Sequence, residues 1–166
     1  MSSIYYRAPI ELSSQQVIDC SDQYGNQGCF GGSNQNTYQW ATDRGIATSN
    51  EYPWTGSQQQ CRSTSGSFKK TNGYRNITDC DSLALVLAKQ PVSVMVDGTN
   101  FQFYYGGLYS DCQMKQNTAL LLVGMNDQGW RLRAGYGVTW GEDGYIRFYR
   151  GNTCGICLGG SYPVPK

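Results

Sequence analysis

From Pro91 onward the chain is punctuated too often to build long helices. Residues 91–97, 119–123, 129–133 and 144–149 are short runs rich in β-branched, aliphatic and aromatic side chains, separated by Gly or by Asn/Asp turns. Runs of this length between turn formers read as strands, and their succession without a helical period predicts an antiparallel sheet or barrel. The first part has the opposite texture. Residues 81–89 (DSLALVLAK) begin with acids, continue with good helix formers, end on a base and stop at Pro91, which predicts a helix. Residues 33–44 (SNQNTYQWATDR) set Tyr38 and Ala41 three apart with Gly45 just beyond, a second helix. A third, short one covers Val17 to Cys20 with Ser13 as its cap. Residues 24–32 form a Gly-rich turn, and 51–67 are turn-rich and irregular. The fold class is therefore α+β, with a helical, loop-rich part over 1–75 and a β-rich part over 76–166.

Composition narrows the partners. With 166 residues the chain is long enough to bury a core unaided. Charged residues make up 15% of it and the net charge is +1, against about 25% charged residues in ordinary globular chains. That balance steers toward neither nucleic acid nor an anionic membrane. No apolar run approaches the roughly 20 residues of a membrane span. The start, MSSIYYRAPIELSS, lacks the basic and apolar regions of a signal peptide. There is no histidine, and the seven cysteines are odd in number, so at least one is free or paired outside the chain. So many cysteines favour an oxidising compartment, which Asn76-Ile77-Thr78, a glycosylation sequon, would fit. Cys154-Gly155-Ile156-Cys157 is formally a C-x-x-C. A redox pair of this kind is expected beside a βαβ unit and a zinc site needs further ligands, so the reading is structural, with no metal and no cofactor.

Several segments occur in an order that points to one family: LSSQQVIDC from Leu12, GCFGG from Gly28, GIATSNEYPW from Gly45, QPVSVMVD from Gln90 and FQFYYGGLYSDC from Phe101. They are followed by NTALLLVG from Asn117, GVTWGEDGYIRFYRG from Gly137, CGIC from Cys154 and SYPV from Ser161. This series resembles the papain-like (cathepsin-type) cysteine proteases over nearly the whole chain. The resemblance implies a two-lobe fold, with a remnant of the helical lobe over 1–75 and, over 76–166, an antiparallel, β-barrel-like lobe whose C-terminal tail returns toward the first. It also implies a chemistry in which a thiolate attacks a peptide carbonyl, a histidine activates it, and an asparagine orients the histidine. The position of that histidine is Thr118 here, and the asparagine's is Ala134. The family's cysteine stands in a C-G-x-C-W setting about 130 to 150 residues earlier, and no such setting occurs in this sequence. Lys115 lies near Thr118, but nothing in the sequence sets an oxyanion hole beside it.

On this resemblance Gly31, Gly32 and Tyr136 are candidates for a peptide cleft, although Gly31-Gly32 also reads simply as a tight turn that needs glycine. The resemblance pairs Cys20 with Cys61 and Cys112 with Cys154, leaves Cys29 as an orphan thiol, and gives Cys80 and Cys157 no role. It implies a helical lobe without its central helix, which would expose apolar side chains of the 33–44 helix and of the Tyr52 to Trp54 turn. A large apolar patch normally marks an interface, so other protein chains are expected to cover that face. The expected function is a non-catalytic scaffolding subunit of a larger assembly, an inactive homologue rather than an enzyme. The alternatives are a peptide-binding or regulatory module that keeps the cleft, and a fragment of a cysteine peptidase. The family and the cysteines imply a secretory, lysosomal or extracellular setting, the alternative being a large intracellular assembly.

Overall fold

Buried glutamines, rather than an apolar stripe, fix the first helix in the computed structural model, which describes residues 10–64, 66 and 69–166. The Met1-Ser2-Ser3 start, Ser65 and Ser67 lie outside the described residues. Ser13 caps α1 (Ser14–Cys20), its Oγ accepting from Gln16 N at 3.0 Å and donating to Tyr52 O at 2.6 Å. Gln16 Oε1 accepts from Ala47 N at 2.7 Å, and Gln15 Oε1 from Thr55 N at 3.0 Å. Buried Asp19 accepts from Gln15 Nε2, Tyr52 Oη and Gln59 N, each at 2.8 Å. Among its described residues the turn-rich stretch after residue 50 has no strand or helix, and the backbone amides of Thr55 and Gln59 take their partners from α1 side chains, as buried amides require. A disulfide from Cys20 to Cys61 closes the same region. Ser33 caps α2 (Asn34–Asp43) through Asn36 N at 3.0 Å, and the helix buries Trp40 and Ala41. It ends at Gly45, whose φ of 79° suits a left-handed stop.

The chain divides into two compact units, Met1–Arg75 with Pro163–Lys166, and Asn76–Tyr162. Strands β1 (Thr71–Ile77) and β7 (Gly160–Pro165) each run across that division. In the second unit Asp79 caps α3 (Cys80–Leu87), accepting from Ser82 N at 2.7 Å. The strands β2 (Val92–Val96), β3 (Leu108–Tyr109), β4 (Thr118–Met125), β5 (Gly129–Arg133) and β6 (Tyr145–Tyr149) follow. The sheet order is β1-β7-β2-β4-β5-β6-β3. Adjacent pairs from β7 to β6 are antiparallel, but β3 pairs with β6 in parallel, so the lobe is not wholly antiparallel as expected.

Alternation builds the core. In β2 Val92, Val94 and Val96 are fully buried while Ser93 and Met95 are less so, and Leu122, Leu132 and Phe148 join them. Each such side chain contributes about 1.5–3 kcal/mol by leaving water. Two further disulfides close this unit, Cys112 to Cys154 and Cys80 to Cys157. The second joins two cysteines for which the sequence offered no partner. It also means that each cysteine of the C-x-x-C is bonded to a distant residue rather than to the other.

Candidate active-site positions

The end of β2 and the start of β4 meet in register, Val96 opposite Thr118. Just beyond Val96 the chain places a carboxylate, Asp97, that is 1% exposed. Its Oδ1 accepts from Thr99 Oγ1 at 2.5 Å, Thr99 N at 3.1 Å and Asn117 Nδ2 at 3.3 Å. Its Oδ2 accepts from Gln113 N at 2.7 Å. These donors are neutral, yet together they favour the ionised form. The Thr99 hydroxyl does most, burial opposes it, and the backbone amides and the Asn117 amide add to it, bringing the carboxyl down to about 2. Asn117 carries the network onward: its Oδ1 accepts from Gly98 N at 2.8 Å and from Thr118 Oγ1 at 3.0 Å, and its Nδ2 donates to Thr99 Oγ1 at 3.1 Å. Thr118 is thus held at the head of its strand with its hydroxyl donating to an amide oxygen. Gly98 is required by close approach, since a Cβ there would collide with Thr118 Oγ1 and lie 2.8 Å from Thr118 Cβ.

Ala134 is the residue after β5. It is 8% exposed, and its N–H donates to Gly144 O at 3.0 Å. Continuing the β4–β5 register from the pair Leu121 and Arg133 sets Ala134 opposite Leu120. That is two residues, or about 7 Å along the strand, from Thr118. Tyr136 is half-exposed and stands edge-on to Trp140 with ring centroids 5.0 Å apart. Trp140 is fixed from behind by its indole N–H, which donates to Phe101 O at 3.1 Å. Aromatic pairs of this geometry add about 0.5–1.5 kcal/mol beyond burial, enough to give Tyr136 a defined position at the surface of its unit.

Gly31 and Gly32 belong to the first unit, and each is a glycine for its own reason. Gly31 has a φ of 118°, with open space where a Cβ would sit. Gly32 has an ordinary φ, but a Cβ would collide with Asn26 Oδ1. Asn26 is the buried hub of this turn, donating to Ser21 Oγ at 2.8 Å and Thr37 Oγ1 at 3.2 Å while accepting from Ser33 N at 3.0 Å. Both glycines border a pocket of ≈ 190 Å³ that also includes Val17, Ile18, Asn34 and Thr37. The amide nitrogen of Asn34 is buried there without a hydrogen-bond partner. Beside it Cys29 has a free, exposed thiol and Phe30 is 89% exposed. A larger pocket of ≈ 760 Å³ lies elsewhere in this unit, among Asp19, Tyr24, Arg44 and Arg62, and takes in none of the cleft candidates.

Sequence reasoning finds the positions that sit in motifs and misses what holds them. Asp97 enters the sequence reading only as the last letter of QPVSVMVD. Its partners come from residues 99, 113 and 117, a convergence that no spacing rule signals.

The family description "Papain family cysteine protease" matches residues 2–164, and the chain belongs to that family. It is 38% identical over 156 residues to the protein named Cathepsin L 2 of Paramecium tetraurelia, covering 93% of this chain and 50% of that protein. It is 37% identical to the Cathepsin L-like proteinase of Fasciola hepatica, covering 95% of this chain and 53% of that protein. The solved structure of the Carica candamarcensis cysteine protease CMS1MS2, in complex with E-64, superposes with a TM-score of 0.91 at 30% identity. That likeness covers 99% of this chain and 82% of the Carica chain, and it establishes a papain-like fold.

These findings correct the expected function. A scaffolding subunit, a regulatory module and a chain that is not an enzyme are all overturned by relatives named as cathepsins and cysteine proteinases. The physical error lay in the inference from missing parts. The chain spans about half the length of these cathepsin L-type relatives, so a nucleophile segment absent from 166 residues does not measure the activity of the whole protein.

Proposed function

We propose that the protein hydrolyses peptide bonds as a thiol-dependent peptidase, and that these residues provide walls of its peptide cleft. The observation that carries this reading is the family match over residues 2–164, together with relatives named cathepsin L and cysteine proteinase. In this reading the attacking thiol belongs to polypeptide beyond these residues. That polypeptide packs on the first unit, where Phe30, the free Cys29 thiol and the unpartnered Asn34 amide face outward or into the adjoining pocket. Gly31-Gly32 borders the peptide on the first unit. Thr118 and Ala134 occupy the positions of the base and its orienting residue. A thiol is a few per cent ionised near neutral pH and intrinsically very nucleophilic. It can therefore attack the peptide carbonyl, with water protonating the leaving amine and a second water hydrolysing the resulting thioester to restore the thiol, at a rate lower by the 10²- to 10⁴-fold that a positioned acid–base group typically contributes.

The test is turnover of a broad fluorogenic peptide mixture by the full-length protein with its disulfides intact. Hydrolysis abolished by a thiol-reactive epoxide is the expected result. A folded full-length protein that turns over no peptide overturns the proposal, whether or not the exposed Cys29 thiol takes up the epoxide.

A further inference from the structure

We propose that Asn76 is a site of N-linked glycosylation. The acceptor triplet is Asn76-Ile77-Thr78, with no proline in the middle. Strand alternation arranges it for this use. Ile77 is 5% exposed and packs into the core of the second unit, while Asn76 and Thr78 on either side of it are exposed. The acceptor residue near the end of β1 and the threonine just after the strand are therefore both exposed, with the buried Ile77 anchoring the chain between them. A bulky oligosaccharide on Asn76 can project from the folded protein without displacing a core contact. Position in the sheet agrees, because β1 ends the strand order and a terminal strand is where added bulk is harmless and shields an edge from pairing.

Two further features agree with the modification, one bearing on the compartment and one on the surface. Six of the seven cysteines are joined in three disulfides, the usage of a protein matured in an oxidising, secretory compartment. With charged residues at 15% and a net charge of +1, the surface has little charge to keep it dispersed, and a glycan supplies the missing hydration. The co-reactant is an oligosaccharide linked through pyrophosphate to a lipid. The Asn76 amide nitrogen forms a bond to the anomeric carbon of the first sugar, the bond from that carbon to the pyrophosphate oxygen breaks, the lipid pyrophosphate leaves, and the amide proton passes to the transferring enzyme's base.

This proposal does not rest on the peptidase reading. The full-length protein is expressed through a eukaryotic secretory pathway, and its mass is measured before and after peptide N-glycosidase. Wild type and Thr78→Ser are expected to lose a discrete oligosaccharide mass, with Asn76 converted to aspartate. Asn76→Gln and Thr78→Ala are expected to carry none. Because Thr78→Ser keeps the hydroxyl that Thr78→Ala removes, it separates loss of the acceptor from a fault in folding. Exported, disulfide-bonded wild type with the mass of the bare polypeptide overturns the proposal, as does an oligosaccharide at Asn76 that persists in Thr78→Ala.

Discussion

Replacing Asp97 by asparagine should destabilise the β-rich unit in a way that fades with acid. The folded carboxyl sits at about 2, against an ordinary value of 3.8. A depressed carboxylate contributes stability that is fully present above its unfolded value and is lost as the pH falls through its folded one, so the window runs from about pH 4 down to about pH 2. The difference between those values corresponds to about 2 kcal/mol. Asparagine keeps the shape but removes the charge, and it turns an N–H donor toward either the Gln113 amide or the Thr99 pair, both of which are donors. A buried donor left without an acceptor costs about 1–3 kcal/mol more. The expected loss is therefore about 3–5 kcal/mol near neutral pH, and it should shrink by about 2 kcal/mol toward pH 2 as wild type loses its own charge. Urea unfolding of wild type and Asp97→Asn at both ends of that range measures the gap from the midpoints and slopes. A gap below about 1 kcal/mol at neutral pH, or one that stays constant with pH, would refute the account of Asp97 as a stabilising buried anion.

The disulfide from Cys80 to Cys157 closes a separation of 77 residues. The paired Cys80→Ala, Cys157→Ala variant should lose up to about 4 kcal/mol in the chain-entropy picture, read from thermal unfolding under oxidising conditions; an unchanged midpoint would contradict it. On the proposed function, installing a base and its orienter together, Thr118→His with Ala134→Asn, should raise kcat for peptide hydrolysis by about 10²- to 10⁴-fold, and the double variant should exceed the product of the singles. No gain would remove positions 118 and 134 from the proton-transfer path. Glu142 accepts two bonds from Arg147, both at 2.7 Å, and one from Gly107 N at 2.8 Å, and the Arg147 guanidinium is the main cause of its lowered carboxyl. The pair is partly exposed, so Glu142→Gln should cost only about 1 kcal/mol in urea unfolding. That cost should be present above the ordinary glutamate range and disappear as the pH falls through the lowered one.

The elements legible in the sequence were those whose signal is local. Ser13 and Ser33 cap the helices they were expected to start or border, and the core strands declare themselves by alternating Val, Leu and Phe. The helix expected over 81–89 begins at Cys80 instead, because the capping carboxylate is Asp79 and not the acid at 81. The missed strands have weak or non-local signals. β1 (TNGYRNI) is polar and contains Gly73 at a φ of 82°. β3 has two residues and exists through its parallel pairing with β6. β7 (GSYPVP) carries two prolines, which remove donors and suggest a loop. The pairing of Cys80 with Cys157 has the same character, since it depends on where the C-terminal segment returns and on no spacing between the two.

The histidine-free composition shows how a true observation can support a false conclusion. Position 118 holds threonine, and Thr118 donates to Asn117 rather than accepting a proton from a thiol. The step from there to an inactive scaffold required that a peptidase without its base keep no catalysis at all. That requirement fails. In serine proteases, where catalytic residues have been removed singly, the oxyanion hole and substrate binding alone retain about 10³- to 10⁴-fold acceleration over water. The elements that would supply both the thiol and the oxyanion donors map, in the family pattern, to sequence outside these residues. What the chain does contain is a rigid mounting for position 118: a buried anion, an asparagine bridging it to the strand, and a glycine cleared for the side chain beside it. A mounting of this kind constrains whatever side chain stands there. Thr118→His therefore sets an imidazole on a support already fixed by Asp97 and Asn117.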